Sequence, residues 1–289
     1  MDQPVVGPGV PLTDAQWARI EPLLPDRTPK RGGRWRDHRE VIDAIAFKFQ
    51  TGTQWVHLPE KYGNWRGVYN RLRTWAIDGT WERVFTTLMA QADADDDLNW
   101  AVSVDSTIVR AHQHAAGARK KGPHPASPDH AIGRSRGGLT TKIHLAADTR
   151  CRPLAFVLTA GQAGDAPAFI DVMARLRVPR RRGRPRTRPD AVLADKAYSS
   201  RAIREHLRKR GIRAVIPVPA DQQGHRLRRG SRGGRPPAFD RDAYKQRNTV
   251  DNVSRNSARR SSLPSVGRML QTRRARASAR STVSLAQSR

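Results

Sequence analysis

The chain has 289 residues, with 54 Lys+Arg against 26 Asp+Glu, a formal net charge of +28 and a pI of about 11.6. Such an excess destabilises a compact fold by self-repulsion, and the partner that best offsets it is a polyanion, nucleic acid above all. One cysteine, Cys151, excludes an internal disulfide, no run approaches about 18 consecutive apolar residues, and Met1-Asp2-Gln3-Pro4 lacks a secretory apolar core, so a reducing cytoplasm is expected.

Residues 1–11 read as an extension, and 12–91 as a helical domain. Thr13 and Asp14 are cap candidates before Trp17, Ile20, Leu23 and Leu24, which recur at helical spacing. A basic Gly-rich loop around Arg34 follows. Val41, Ile45, Phe47 and Phe49 mark a second helix that Gly52 ends, and a third begins near Trp65 with Val68, Leu72, Trp75 and Ile77 on its apolar side. Arg66, Arg71 and Arg73 interleave with that face, in the manner of a helix-turn-helix reader. A fourth helix starts at Thr80 or Trp81. The alternative role for the tryptophans of this segment is plain core packing.

Residues 92–99 read as an acidic linker. From there the pattern is mixed: a strand over 100–109, a long loop over 112–136, two strands over 140–147 and 153–159 joined by a turn, and a helix over 165–176. A basic connector over 177–189, a strand over 191–194, a helix capped by Ser199 or Ser200, a strand over 214–218 and a second basic loop over 221–238 complete it. Strands alternating with helices in this order give a mixed α/β sheet over 100–250. Residues 251–289 form a tail of Ser, Arg and Ala without an aromatic residue.

Asp105 closes Ala101-Val102-Ser103-Val104, and Asp195 closes Ala191-Val192-Leu193-Ala194. Each acid stands where a buried strand ends. Asp251 is a third. Carboxylates that converge suit a hard divalent cation acting on a phosphodiester. A strand-end Asp also serves as an ordinary cap or turn residue, so position alone leaves both readings open. His112, His114, His124 and His130 have irregular spacing and no cysteine beside them, which argues against zinc. Gly32-Gly33 and Gly137-Gly138 lack the Gly-Lys-Ser/Thr ending of a phosphate loop.

Five segments carry a resemblance: Leu12-Thr13-Asp14-Ala15-Gln16-Trp17, Val104-Asp105-Ser106-Thr107, Gly133 to His144, Asp195-Lys196-Ala197-Tyr198, and Tyr244-Lys245-Gln246-Arg247-Asn248-Thr249-Val250. In this order they resemble bacterial insertion-sequence transposases of the DDE type. The resemblance implies an RNase H-like mixed sheet with flanking helices, preceded by a small all-helical DNA-binding domain. It implies Asp105 and Asp195 as the first two catalytic, metal-binding carboxylates and Asp251 as the third, holding Mg²⁺, or Mn²⁺ in its place. The partner it implies is double-stranded DNA, as terminal inverted repeats and target, bound by a homodimer at the bacterial nucleoid. Arg34, Arg66, Arg71, Arg73, Lys120, Lys121, Arg134, Arg136, Lys142, Lys196, Tyr244 and Arg247 are the candidate nucleic-acid contacts.

The family signature places Glu seven residues after Tyr244 and Lys seven further on, where this chain has Asp251 and Ala258. Asp is one methylene shorter than Glu, which withdraws its oxygens by roughly 1–1.5 Å. Two readings of the tail follow: a C-terminus replaced by a shifted frame from about residue 251, or a native basic segment that binds DNA. The alternatives to an active transposase are a catalytically impaired remnant that only binds DNA and a basic protein that coats nucleic acid.

Overall fold

The computed structural model describes residues 11–26, 36–110, 131–180, 182–245 and 247. They fall into two compact units, divided between Leu88 and Met89.

The first unit is helical. Helix α1 (Asp14–Ile20) opens on a capping box: Thr13 Oγ1 accepts from the Gln16 amide at 3.2 Å, and Gln16 Oε1 accepts from the Thr13 amide at 3.0 Å. Helix α2 (His38–Thr51) is capped by Asp37 and stops at Gly52, whose φ of 72° is the left-handed geometry that glycine adopts without a Cβ penalty. Asn64 caps α3 (Trp65–Ile77), and α4 (Thr80–Ala94) starts in this unit and ends in the second. Val41, Ile45, Val68, Leu72 and Trp75 form the core, with Trp17, Trp55, Trp65 and Trp81 packed around it. Two single 3₁₀ turns, Trp55–His57 and Glu60–Tyr62, occupy the connection between α2 and α3, so these helices are not joined by the three- or four-residue turn of a tight helix-turn-helix.

The second unit is a six-stranded mixed sheet. Its strands are β1 (Ala101–Arg110), β2 (Gly133–Ser135), β3 (Gly138–Ala147), β4 (Pro153–Ala160), β5 (Ala191–Ala194) and β6 (Arg213–Val215). β3 lies antiparallel to β1, and β4 and β2 share the far edge of β3. On the other side of β1, β5 and β6 run parallel to it. Three antiparallel strands followed by two parallel ones make the RNase H-like arrangement expected from the sequence. Helices α5 (Asp165–Arg175) and α6 (Arg201–Lys209) supply Phe169, Val172, Met173, Ile203 and Leu207 to the core against Val102, Val104 and Val192. Two further helices follow, α7 (Ala220–Arg228) and the short α8 (Arg241–Lys245).

Several local expectations change. Residues 133–135, expected in a loop, extend a hairpin with β3. β6 ends at Val215 rather than at residue 218, because Pro217 and Pro219 have no amide to give a ladder. The 221–238 loop contains α7 and a further turn, Gly230–Gly233. The acidic stretch begins inside α4 and ties down its neighbours: Trp100 Nε1 donates to Asp93 at 2.8 Å, and Arg150 and Arg152 pair with Asp97. The basic connector is pinned as well, with Val178 bridged to Arg186 and the Arg186 guanidinium 4.1 Å from the centre of the Trp100 ring.

Candidate active site

In the parallel pairing of β1 and β5, Val104 stands opposite Ala194. The residue after each is an aspartate, Asp105 within β1 and Asp195 just beyond the end of β5, so the two acids follow side by side from strands about 4.8 Å apart. Side chains alternate along an extended chain. Val104 and Ala194 therefore point into the core under α5, and Asp105 and Asp195 both project from the opposite face. That face carries Ala191, Leu193 and Val215, over which Ala243 and Tyr244 pack. Apolar runs buried on both sides produce this arrangement: all four residues of β5 are buried, so the first side chain that reaches solvent is the acid behind them. Asp195 also caps the following turn, its Oδ1 accepting from the Ala197 amide at 2.9 Å.

A third carboxylate, Asp165, lies on the α5 side. Asp165 Oδ1 accepts from Ser106 Oγ at 2.7 Å and from Lys142 Nζ at 3.0 Å, and Lys142 also donates to the Ala163 carbonyl at 2.7 Å. His144, opposite Ser106 in the β1–β3 register, has Nδ1 3.8 Å from the same oxygen and Nε2 2.8 Å from Thr159 Oγ1. His144 is 1% exposed, and burial holds its pKa below the usual value, Lys142 adding to that and Asp165 opposing it. The imidazole is therefore neutral at pH 7. Tyr198 is equally enclosed and rests on Phe169, with ring centres 5.9 Å apart. Burial first, then Asp165, Asp105 and Asp195, raise its pKa far above the ordinary phenol range, so it remains protonated.

The structure sorts the candidate nucleic-acid contacts. Arg66 and Arg73 on α3, Arg134 and Arg136 in the β2–β3 hairpin, and Lys196 beside Asp195 are exposed. Lys142, expected among the nucleic-acid contacts, is turned inward: its side chain is 12% exposed and its ammonium is held by Asp165 and Ala163. The cause is the uncompensated acid at the head of α5, which a cation on the adjoining strand neutralises. Arg71, expected to face DNA, is also drawn in, with NH1 3.2 Å from His38 Nδ1 and its guanidinium 5.5 Å from the Trp75 ring centre. Tyr244 and Arg247 lie on the carboxylate face of the sheet, where Arg247 NH1 donates to the Tyr244 hydroxyl at 2.7 Å. Arg34, Lys120, Lys121, Asp251 and the four histidines from His112 to His130 lie outside the described residues.

Among the described residues, no group of three or more His, Cys, Asp or Glu could hold a metal ion. The Asp105–Asp195 pair nonetheless suits a hard divalent cation. Magnesium takes one or two protein carboxylates and completes its octahedron with water and phosphate oxygens. Asp165 escapes sequence reading because an acid in the first turn of a helix is ordinary. Only the pairing of Ser106 with His144 reveals what it holds.

Two families of known proteins match the chain. One described as "Putative transposase of IS4/5 family" matches residues 12–85, and one described as "Transposase DDE domain" matches residues 97–289. The chain is 39% identical over 109 residues to the uncharacterized protein y4sN of Sinorhizobium fredii, covering 38% of this chain and 83% of that protein. It is 34% identical over 112 residues to a putative transposase for insertion sequence element IS402 of Burkholderia cepacia, covering 38% of this chain and 49% of that one. Among solved structures, a pre-cleavage Mos1 transpososome is similar at 12% identity and a TM-score of 0.26, over 86% of this chain and 85% of the other. No described helix is long and apolar enough to cross a membrane.

Proposed function

Because the chain belongs to the transposases that carry a DDE domain, we propose that Asp105 and Asp195 bind Mg²⁺ and direct cleavage and strand transfer at the ends of its insertion element. The observation that carries this reading is the register of β1 on β5, which sets two carboxylates side by side on one face. When bound, such an ion supplies Lewis acidity for hydrolysis of a phosphodiester and for attack by a 3′-hydroxyl. The chain supplies the rest. Asp105 and Asp195 hold the charge that the ion neutralises, and protonated Tyr198 and neutral His144 add none. Asp251 is the third donor by its place after Tyr244 and Arg247.

The helical unit binds the terminal inverted repeats through Arg66 and Arg73, while Arg134, Arg136 and Lys196 contact duplex near the carboxylates. Two element ends call for two active sites, hence a homodimer on DNA in the bacterial cytoplasm. The Asp at position 251 supports a second reading, in which the chain binds the repeats but cleaves them poorly. Incubation of labelled duplex carrying the element's own ends, with and without Mg²⁺, decides between them. Metal-dependent nicking that Asp105→Asn removes establishes the enzyme. Binding without nicking, with nicking restored by Asp251→Glu, establishes the impaired form. Nucleotide sequence beyond codon 250 tests the shifted-frame origin, which requires a Glu-containing amphipathic continuation in another frame.

A further inference from the structure

We propose that α7 and the turn after it form a cationic clamp for the sugar-phosphate backbone of DNA, held beside the carboxylate pair. This inference rests on reading the chain as a DNA transposase. It starts from a helix that core burial does not explain: neither α7 nor the Gly230–Gly233 turn contains a buried residue, and Leu227 is 68% exposed. The segment carries Arg226, Arg228, Arg229, Arg232 and Arg235 with a single acid, Asp221. Among the described residues none of these five arginines has a carboxylate partner. Elsewhere Arg36, Arg186 and Arg213 pair with Glu40, Asp190 and Asp240. Among the described residues the cluster is therefore a concentration of positive charge left uncompensated.

Its shape is nevertheless defined. Gly233 lies against the Arg226 carbonyl so closely that any Cβ there would collide with it. Arg228 donates to His225 Nδ1 at 2.7 Å. Its place is fixed too: Gln222 Nε2 donates to the Ser199 carbonyl at 2.9 Å, and Ser199 Oγ donates to Gln222 Oε1 at 3.2 Å. Ser199 is buried and ends the turn that Asp195 caps. β6 runs parallel to β5, so the chain leaves β6 toward α7 at the end of the sheet that carries Asp195. Exposed guanidiniums on a fixed scaffold at that end suit bidentate contacts to phosphate oxygens rather than a sequence code.

The test compares the full-length chain with three variants in binding to duplex of unrelated sequence across a salt series. Arg228, Arg229 and Arg232→Gln should weaken binding and make the salt slope shallower by roughly 0.9 for each phosphate left unneutralised. The same positions changed to Lys keep the charge and lose the bidentate fork, so they should retain the wild-type salt slope with an affinity between wild type and the Gln triple, which separates the removal of charge from a failure to fold. Arg182, Arg184 and Arg188→Gln, which removes equal charge where β5 enters the sheet, should leave the slope almost unchanged. Equal weakening in both Gln triples, or none in the first, overturns the clamp while leaving the transposase reading intact. A wild-type chain that binds no duplex at all overturns both.

Discussion

Replacing Lys142 by Met should destabilise the sheet unit by about 2–3 kcal/mol, a value bracketed by exposed pairs, at about 0–1, and buried ones, at about 3–5. The Lys142 ammonium lies 3.0 Å from Asp165 Oδ1, with side-chain exposures of 12% and 28%. At an effective dielectric near 20 the gross attraction is about 5 kcal/mol, much of it offset by removing both groups from water. The variant also strips a donor from the Ala163 carbonyl, which adds about 1 kcal/mol. Asp165→Asn keeps the hydrogen bond from Ser106 and should cost less, about 1–2 kcal/mol. The double variant should fall short of the sum by about 1–2 kcal/mol. Hydrogen exchange at the β1 and β3 amides reads this unit apart from the helical one. Additivity within about 0.3 kcal/mol would mean that the two groups do not interact. The claim that Lys142 is withdrawn from DNA would then fall. The same claim requires that Lys142→Met leave the salt slope of duplex binding unchanged.

Three further outcomes are expected. Asp105→Asn and Asp195→Asn should each reduce metal-dependent nicking by more than the roughly 100-fold that a 1 Å misplacement costs, with repeat affinity retained, as read by parallel cleavage and gel-shift assays. Burial holds the His144 pKa below its unfolded value of 6.5, so the folded state binds fewer protons than the unfolded one between those two values. Stability should therefore be full above about pH 6.5 and fall as pH drops toward the folded pKa; His144→Gln should flatten that slope, and urea midpoints at pH 7.5, 6.5 and 5.5 check it. Thr13→Ala removes the capping box and should cost about 1 kcal/mol, seen as faster amide exchange in α1.

The sheet and both strand-end acids were readable because strands buried on two sides appear as short apolar runs, and the acids end those runs. Thr13, Gly52 and Ser200 likewise announced helix ends through their backbone chemistry. What stayed hidden depended on partners distant in sequence. Ser106 and Asp165 are 59 residues apart, and nothing local shows that one donates to the other. The inward turn of Arg71 required His38, 33 residues earlier, and that of Lys142 required α5 above it. α7 has no apolar face, so a period-based reading had nothing to detect.

β1 is also a spacer whose length matters as much as its composition. Deleting one residue between Ala101 and Val104 would rotate everything after the gap by half a turn. Asp105 would then crowd Asp165 beneath α5, and a serine would take its place on the outer side. Natural variants should therefore tolerate exchanges of one apolar residue for another in this strand far better than the loss or gain of a single codon. Screening single-codon insertions and deletions across 101–104 for folding and for nicking would expose that asymmetry directly.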